Sequence, residues 1–457
     1  MKIEKVLELL EISVQDKDEA SIDKWKRYYE GFDKDFHEYT KSIGTGKEKK
    51  MKRYSLGMAK IIAENWADVI YNPETSITVE DEANQEWLDE TLERVDFTTN
   101  MNNLVEMYMA LGTGGTNVYK DGNKPMIDFL YTNQIFPISY INNEVAEVLF
   151  ISQYDKNTIY VTVHELNDND TYRIRNKFID IKDENNYEIK EMEGIEEEFN
   201  STVKLFEIFK PAISNNINVG SSEGVSIYAN AIQELQAVDI SFDSLVTESE
   251  NGKMMIFLKE AMLQFGTDKN GNQTAPTINN SNGVFYVMEG DSVNDEGTFI
   301  KTHSPTLRIE SLIEGLKYNM NLLARKCGLG DNYFSSNEGS IYTNTAQVVS
   351  TNSKFFKTRQ KHLALVKANL VGVVKALYYQ EFDKELEDVI TINFDDSMIH
   401  DKAEEKQGLM LELNQGLISD VYYYMKTMNL TRTEALAFKQ QMQEDKGLEE
   451  EIDFESE

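Results

Sequence analysis

Thr306-Leu-Arg-Ile-Glu-Ser-Leu-Ile-Glu-Gly-Leu-Lys-Tyr-Asn-Met-Asn-Leu-Leu-Ala-Arg-Lys-Cys-Gly328 is the stretch around which the chain is organised. Ile309, Leu312, Leu316, Met320, Leu323 and Cys327 recur at steps of three and four, which places them on one face of an amphipathic helix. Gly328 and Gly330 stop that helix. A small-polar loop follows, Asp331-Asn-Tyr-Phe-Ser-Ser-Asn-Glu-Gly-Ser340, and a second long helical pattern runs to about Gln380.

The charge of this stretch opposes that of the chain. Overall, 46 Lys and Arg face 79 Asp and Glu, a net charge of -33. Between Lys301 and Lys375 the sign reverses: Lys301, Arg308, Lys317, Arg325, Lys326, Lys354, Lys357, Arg359, Lys361, Lys367 and Lys375 outnumber Glu310, Glu314, Asp331 and Glu338. From Gly339 to Gln380 there is no acid at all. Compensation of the helix macrodipole explains Arg325 and Lys326, which sit in a last turn, but not the others. The pattern points to a surface kept free of negative charge because it faces something anionic.

A chain of 457 residues, 40% hydrophobic and 11% aromatic, has the material for a large core in two or three parts. Its pI near 4.6 excludes general coating of nucleic acid and leaves local contact through one basic strip. The single Cys327 allows no internal disulfide, which fits a reducing cytoplasm. No signal peptide is legible at Met1-Lys-Ile-Glu-Lys-Val6, and Leu363–Tyr379 is too short and too charged to span a bilayer.

Residues 1–50 lean towards helix, and Lys47–Arg53 reads as a solvated basic loop. Tyr54, Met58, Ile61, Ile62, Trp66, Val69 and Ile70 form an amphipathic helix ended by Asn72-Pro73, followed by a short strand Ser76–Glu80 and two further helices to Leu111. From Thr116 to Phe209 the period changes to two, predicting an antiparallel meander of strands over 117–119, 126–131, 148–153, 158–165, 172–181 and 203–209. Ser221–Asn251 is helical again. Strands at 254–258, 284–288 and 298–301, the first two separated by a Gly/Asn-rich loop 266–282, make a small β insertion between two long helices. A strand at 389–394, short helices (one opened by Thr431-Arg-Thr-Glu434, a capping-box spacing) and an acidic tail from Glu444 complete an α+β chain.

Signatures of catalysis are missing. Ser42-Ile-Gly-Thr-Gly-Lys47 lacks the spacing of a phosphate loop, and Gly112-Thr-Gly-Gly115 follows a helix, so its glycines serve a backbone bend. The five histidines are scattered. Asp268-Lys-Asn-Gly-Asn272 starts like a calcium loop but lacks its Gly and its closing Glu. Pairs such as Asp395-Asp396 are expected by chance among so many acids. No cofactor, metal or catalytic residue is predicted.

The order of the parts resembles the portal proteins of tailed bacteriophages, in particular long-tailed phages of Gram-positive hosts. The likeness is carried by Ser55-Leu-Gly-Met-Ala-Lys-Ile-Ile-Ala-Glu-Asn-Trp-Ala-Asp68, Ala110-Leu-Gly-Thr-Gly-Gly115, Val118-Tyr-Lys-Asp-Gly122, Asn133-Gln-Ile-Phe-Pro137 and Gly416-Leu-Ile-Ser419. The resemblance implies a portal-type fold: an α/β wing (1–220), a two-helix stem (221–251 and 306–328), a small β clip (252–305), a tunnel loop (329–344), a long tunnel-side helix with a returning wing strand (345–399), and a helical crown with the acidic tail (400–457). It further implies a homo-oligomeric ring of about twelve subunits at one capsid vertex of the virion, assembled in the host cytoplasm. Double-stranded DNA would pass through it without sequence specificity. Its partners would be the terminase large subunit, major capsid and scaffolding proteins and then a head–tail adaptor, with no membrane contact.

On that layout the residues expected to face DNA are Asn332, Tyr333, Phe334, Ser335, Ser336, Asn337, Tyr342 and Asn344 of the loop and Lys354, Lys357 and Arg359 of the long helix. Lys317, Arg325 and Lys326 follow in the stem. Leu235, Phe242, Leu312, Leu316 and Met320 are expected at the subunit interface. Met254, Ile256, Phe285 and Tyr286 are expected to bind clip partners. Two other classes compete: a metal-dependent DNA-processing enzyme, which needs acids clustered beside a basic groove, and a membrane-surface protein using Gly339–Tyr379 as a basic amphipathic helix.

Overall fold

The computed structural model describes residues 3–43, 47–122, 124–183, 186–190, 197–259, 266–267, 273–274, 285–288, 300–330, 333–334, 353–395, 409–413, 415–428 and 435–442. The chain forms two units, 1–337 with 354–392 and 338–353 with 393–457. The expected tunnel loop beyond Phe334, the Asp268 turn, Asp396, the capping box at Thr431 and the acidic tail lie outside the described residues.

The first unit opens with α1 (Ile3–Leu10), α2 (Glu19–Tyr29) and the single turn α3 (Lys34–His37). Asp18 starts α2 by accepting the Ser21 N–H. Next comes an antiparallel ribbon of β1 (Glu38–Ile43) and β2 (Lys47–Lys52). The expected basic loop at Lys47–Arg53 is therefore mostly a strand, with alternating residues committed to opposite faces. Then α4 (Met58–Ile70) buries Ile62, Ala63, Trp66, Ala67 and Ile70. β3 (Ser76–Val79) leads to α5 (Glu82–Arg94), capped by the Asp81 carboxylate on the Ala83 and Asn84 N–H groups, and to α6 (Phe97–Leu111). Gly112 ends α6 at φ +92°, and its carbonyl lies 1.8 Å from where a Cβ on Gly224 would sit. Only glycine allows the two backbones this approach.

The meander runs β4 (Gly114–Asp121), β5 (Lys124–Tyr131), β6 (Ile135–Ile141), β7 (Glu144–Gln153), β8 (Thr158–Leu166), β9 (Tyr172–Asp183), β10 (Asn186–Lys190), β11 (Glu198–Ser201) and β12 (Phe206–Phe209). It forms a six-stranded sheet, β10-β9-β8-β7-β6 with β11 also on β9, and a three-stranded sheet, β12-β4-β5. β7 reads as an almost continuous apolar run because both of its faces are covered. Leu149 and Ile151 pack with Val6 and Leu10 of α1, while Val148 and Phe150 meet Leu130 and Phe206 of the smaller sheet. The period-two reading did not find β6, whose register shifts between Pro137 and Tyr140 interrupt the alternation. It also missed β10 and β11, short strands that pair only with β9 and are rich in charged and polar residues.

After a 3-10 turn at Ala229–Ala231 comes α7 (Ile232–Asn251). The expected helix from 221 thus starts later, because the chain first runs past Gly112 at the Gly224 contact. β13 (Met255–Lys259), β14 (Gly266–Thr267), β15 (Gln273–Thr274), β16 (Phe285–Met288) and β17 (Ile300–His303) precede α8 (Ile309–Lys326). β13 lies between β16, parallel to it, and β17, antiparallel.

α9 (Ser353–Phe382) then buries Phe355, Leu363, Val366, Leu370, Val373, Val374 and Leu377. Over 353–379, the described part of the basic amphipathic helix expected at Gly339–Tyr379, that apolar face is already occupied within the chain. Gly372 lies inside α9 against the Glu207 side chain, which would have to shift to admit a Cβ. β18 (Ile390–Asn393) returns to pair with β3. In the second unit α10 (Asp420–Met428) is flanked by helical residues 409–413 and 435–442; Tyr424 packs on Phe438 and Lys439 pairs with Asp420 at 2.7 Å.

Two measurements test this packing. Trp66 is fully buried, its Nε1–H donates to the Cys327 carbonyl at 3.0 Å, and its ring packs on Phe355 and His362. Trp66→Ala should cost about 3–5 kcal/mol in urea unfolding; a cost under about 1 kcal/mol would contradict this packing. His164 is buried with Nε2 on Asn117 Oδ1 at 2.9 Å, and burial pushes its imidazole down to about 3. The unfolded chain then takes up a proton near pH 6.5 that the folded chain refuses until about pH 3, so stability falls as pH drops through that window. His164→Phe should flatten the acid limb of unfolding midpoint against pH; an unchanged slope would mean that other groups set it.

Candidate nucleic-acid interface

The end of α8, the turn at Tyr333-Phe334 and the start of α9 converge on α4. Trp66 holds the Cys327 carbonyl, and the Tyr333 hydroxyl is 3.2 Å from Asn65 Oδ1. Tyr333 and Phe334 are half-buried with rings 5.1 Å apart, and Phe355 lies 6.1 Å from Tyr333. These two aromatics anchor the root of the expected tunnel loop. Asn332, Ser335, Ser336, Asn337, Tyr342 and Asn344 lie outside the described residues.

Lys354 and Lys357 are exposed, and Lys361, one turn on, shares their side of α9. Lys354 Nζ reaches the Arg325 carbonyl at 3.5 Å, which brings this row to the last turn of α8, where Arg325 is also exposed. Arg359 departs from expectation. It is 2% exposed, and its Nε–H donates to the Val69 carbonyl at 3.0 Å. Val69 lies in the last turn of α4, where the carbonyls carry the negative end of the helix dipole. Arg359 therefore serves the core and is removed from the DNA-facing set.

α7 and α8, the helices expected to form the stem, are zipped antiparallel. Arg308 grips Glu248 by Nε at 3.1 Å and by the guanidinium's second arm at 2.8 Å, holding that carboxyl well below the usual range. Lys326 pairs with Glu234 at 2.7 Å at the other end, and Asn319 Nδ2 donates to Ser241 Oγ at 2.8 Å between them. Of the stem cations, Lys326 is thus engaged within the chain, and Lys317 and Arg325 are exposed.

Leu312 and Leu316 share the face of Asn319 and are half-buried, as are Phe242 and Met320. Leu235 is 3% exposed. Its placement at a subunit interface is corrected: the side chain is already buried within the chain. Ile240, Ile313 and Tyr318 are the large apolar residues these helices leave exposed. In the small sheet Met254 and Tyr286 are exposed and Ile256 is half-buried, with Phe257 and Tyr286 rings 5.6 Å apart. Phe285 is on β16 beside Ile256.

Sequence reading did not reveal Asp239, a buried carboxylate on α7. It accepts from His37 Nε2 at 3.0 Å, Ser55 Oγ at 3.1 Å and the Leu56 N–H at 2.8 Å. An acid directly beside Val238 of the apolar face of α7 is the available signal. Among the described residues no group of three His, Cys, Asp or Glu could hold a metal ion, and no helix is long and apolar enough to cross a membrane.

No curated protein matches the sequence. Among solved structures, a chain in the "Virion of native gene transfer agent (GTA) particle" is similar with TM-score 0.43 at 11% identity, over 92% of this chain and 95% of that one. A chain in the "Neck of native GTA particle computed with C12 symmetry" gives 0.41 at 12% identity, over 81% of this chain and 89% of that one. The sequence matches the family "Phage portal protein, SPP1 Gp6-like" over residues 11–451. With nearly its whole length so matched, the chain belongs to the phage portal protein family.

Proposed function

We propose that this portal protein closes into a ring of about twelve copies at one capsid vertex and conducts double-stranded DNA into and out of the particle. The small sheet around β13 would face the terminase motor during packaging and the head–tail adaptor afterwards. Its role is structural, not catalytic.

The observation that carries the DNA-facing assignment is the row Lys354, Lys357 and Lys361. These exposed cations lie in a segment without acids, on a chain of net charge -33. A polymer that must slide is served by loose phosphate contacts, since dense ionic contacts hold DNA in proportion to the counterions they release. A short cationic row on an otherwise acidic surface gives that balance. The buried Arg359 adds nothing to it.

Native mass and particle images of the purified protein test the ring. About a dozen copies around a central hole is the expected result, and a stable dimer that cleaves DNA with a metal would overturn it. Lys354→Glu/Lys357→Glu/Lys361→Glu should leave ring mass unchanged. DNA retained per particle at low salt should fall about tenfold and its salt dependence should become shallower. Retention equal to wild type would remove this row from the channel.

A further inference from the structure

The ribbon of β1 and β2 plays no part in the assignments above. It is a two-stranded sheet with no third strand among the described residues, and six residues per strand make it about 20 Å long. Such a ribbon is marginal in water by itself. Its root is nevertheless firm. His37, directly before β1, is buried against Asp239 of α7, and the Tyr54 N–H donates to Asp243 Oδ1 at 3.1 Å. The Arg53 N–H donates to the His37 carbonyl at 2.8 Å, and its guanidinium lies 4.3 Å from the Tyr39 ring. The ribbon leaves the flank of α7 on a rigid footing.

Its two faces differ. Register sets Tyr39 opposite Met51 and Lys41 opposite Lys49 on one face, and Glu38 opposite Lys52, Thr40 opposite Lys50 and Ser42 opposite Glu48 on the other. The second face balances its charges. On the first, these four residues include two lysines and no acid, and like charges directly opposed weaken a strand pair. Lys41 and Lys49 are exposed and have no ion-pair partner among the described residues.

A countercharge from outside would relieve that repulsion. Half-buried Tyr39 and Met51 on the same face favour a protein surface over phosphates, which offer no apolar area. The chain carries a matching surface on α5. Glu82, Glu86, Asp89, Glu90 and Glu93 are exposed at helical spacing, without an ion-pair partner among the described residues.

We infer that the cationic face of β1–β2 docks on the acidic stripe of α5 of a second copy; the inference rests on the ring reading above. One patch meeting a different patch is a heterologous contact, the kind that closes rings by rotation.

Zero-length carbodiimide cross-linking of assemblies mixed from light- and heavy-isotope chains tests it. Lys41 and Lys49 should join α5 acids in mixed-isotope pairs. Lys41→Glu/Lys49→Glu, with an unchanged circular dichroism spectrum, should raise the concentration for half-assembly about tenfold at low salt and less at high salt. Adding Glu86→Lys/Glu90→Lys should restore assembly. Links only within one chain, links to acids outside α5, or assembly of the double variant at wild-type concentrations would each overturn the docking and leave the ring standing. Normal assembly with lost DNA binding would assign the ribbon to DNA and overturn it too. A wild-type chain that never assembles would overturn the ring reading and the docking together.

Discussion

A guanidinium inside the core fixes the geometry on which the candidate surfaces depend. Removing a charge from water costs several kcal/mol unless hydrogen-bond acceptors take the place of solvent. Arg359 meets that condition at the C-terminal end of α4, where the Val69 carbonyl accepts from its Nε. Alignment of the last-turn carbonyls makes this end of a helix favourable for a cation. The bond fixes the rotation of α9 about its own axis. With Arg359 inward, Phe355, His362 and Leu363 are buried, and Lys354, Lys357 and Lys361 point to solvent. The same α4 holds the end of α8 through Trp66 and Cys327. One helix thus sets where the stem ends and which side of the long helix is cationic.

The stem follows a related economy of charge. Arg308–Glu248 and Lys326–Glu234 pin the two ends of the α7–α8 pair, and Asn319–Ser241 sets its middle. Exposed ion pairs contribute little singly, so the value of these two lies mainly in register, with apolar packing such as Leu235, Val238 and Leu323 supplying most of the stability. Asp239 adds a third anchor by binding the segment just before the ribbon and the segment just before α4. Asp239 thus ties α7 to both the ribbon root and the start of α4.

Much of this was legible in the sequence, for identifiable reasons. The meander, α4 to α6 and the helix–small sheet–helix order have strong periodicity, and β18 has a partner in β3 because both are short runs rich in Ile, Val and Thr. Besides the irregular or polar strands β6, β10 and β11, sequence and structure part where a charge is buried or an apolar stripe is covered from within the chain. Arg359 counts as one more cation in a basic run until the Val69 carbonyl is seen beside it. Leu235 lies on an apolar face that any partner could cover, and periodicity does not say whether that partner belongs to the same chain. The ribbon escapes the sequence reading because lysines hide strand alternation: Lys47, Lys49, Met51 and Arg53 have a single parity, but β-propensity is low along β2.

The distribution of charge is then better stated by face than by segment. The described part of the acid-free run, 353–380, is not one basic surface, because α9 turns Arg359 inward and spreads the remaining lysines along its length. Within the described part of this run, the first three turns of α9 concentrate unpaired cations, beside Arg325. A second group lies on one side of the β1–β2 ribbon, where Lys41 and Lys49 are joined by half-buried Tyr39 and Met51. The apolar residues distinguish the two. The α9 row has one exposed apolar neighbour, Leu365 one turn beyond Lys361, whereas Tyr39 and Met51 share the face of Lys41 and Lys49, and apolar side chains beside the charges can hold a surface after screening removes the Coulomb term. On a protein of net charge -33 the first arrangement fits the proposed passage of DNA and the second the proposed attachment between copies.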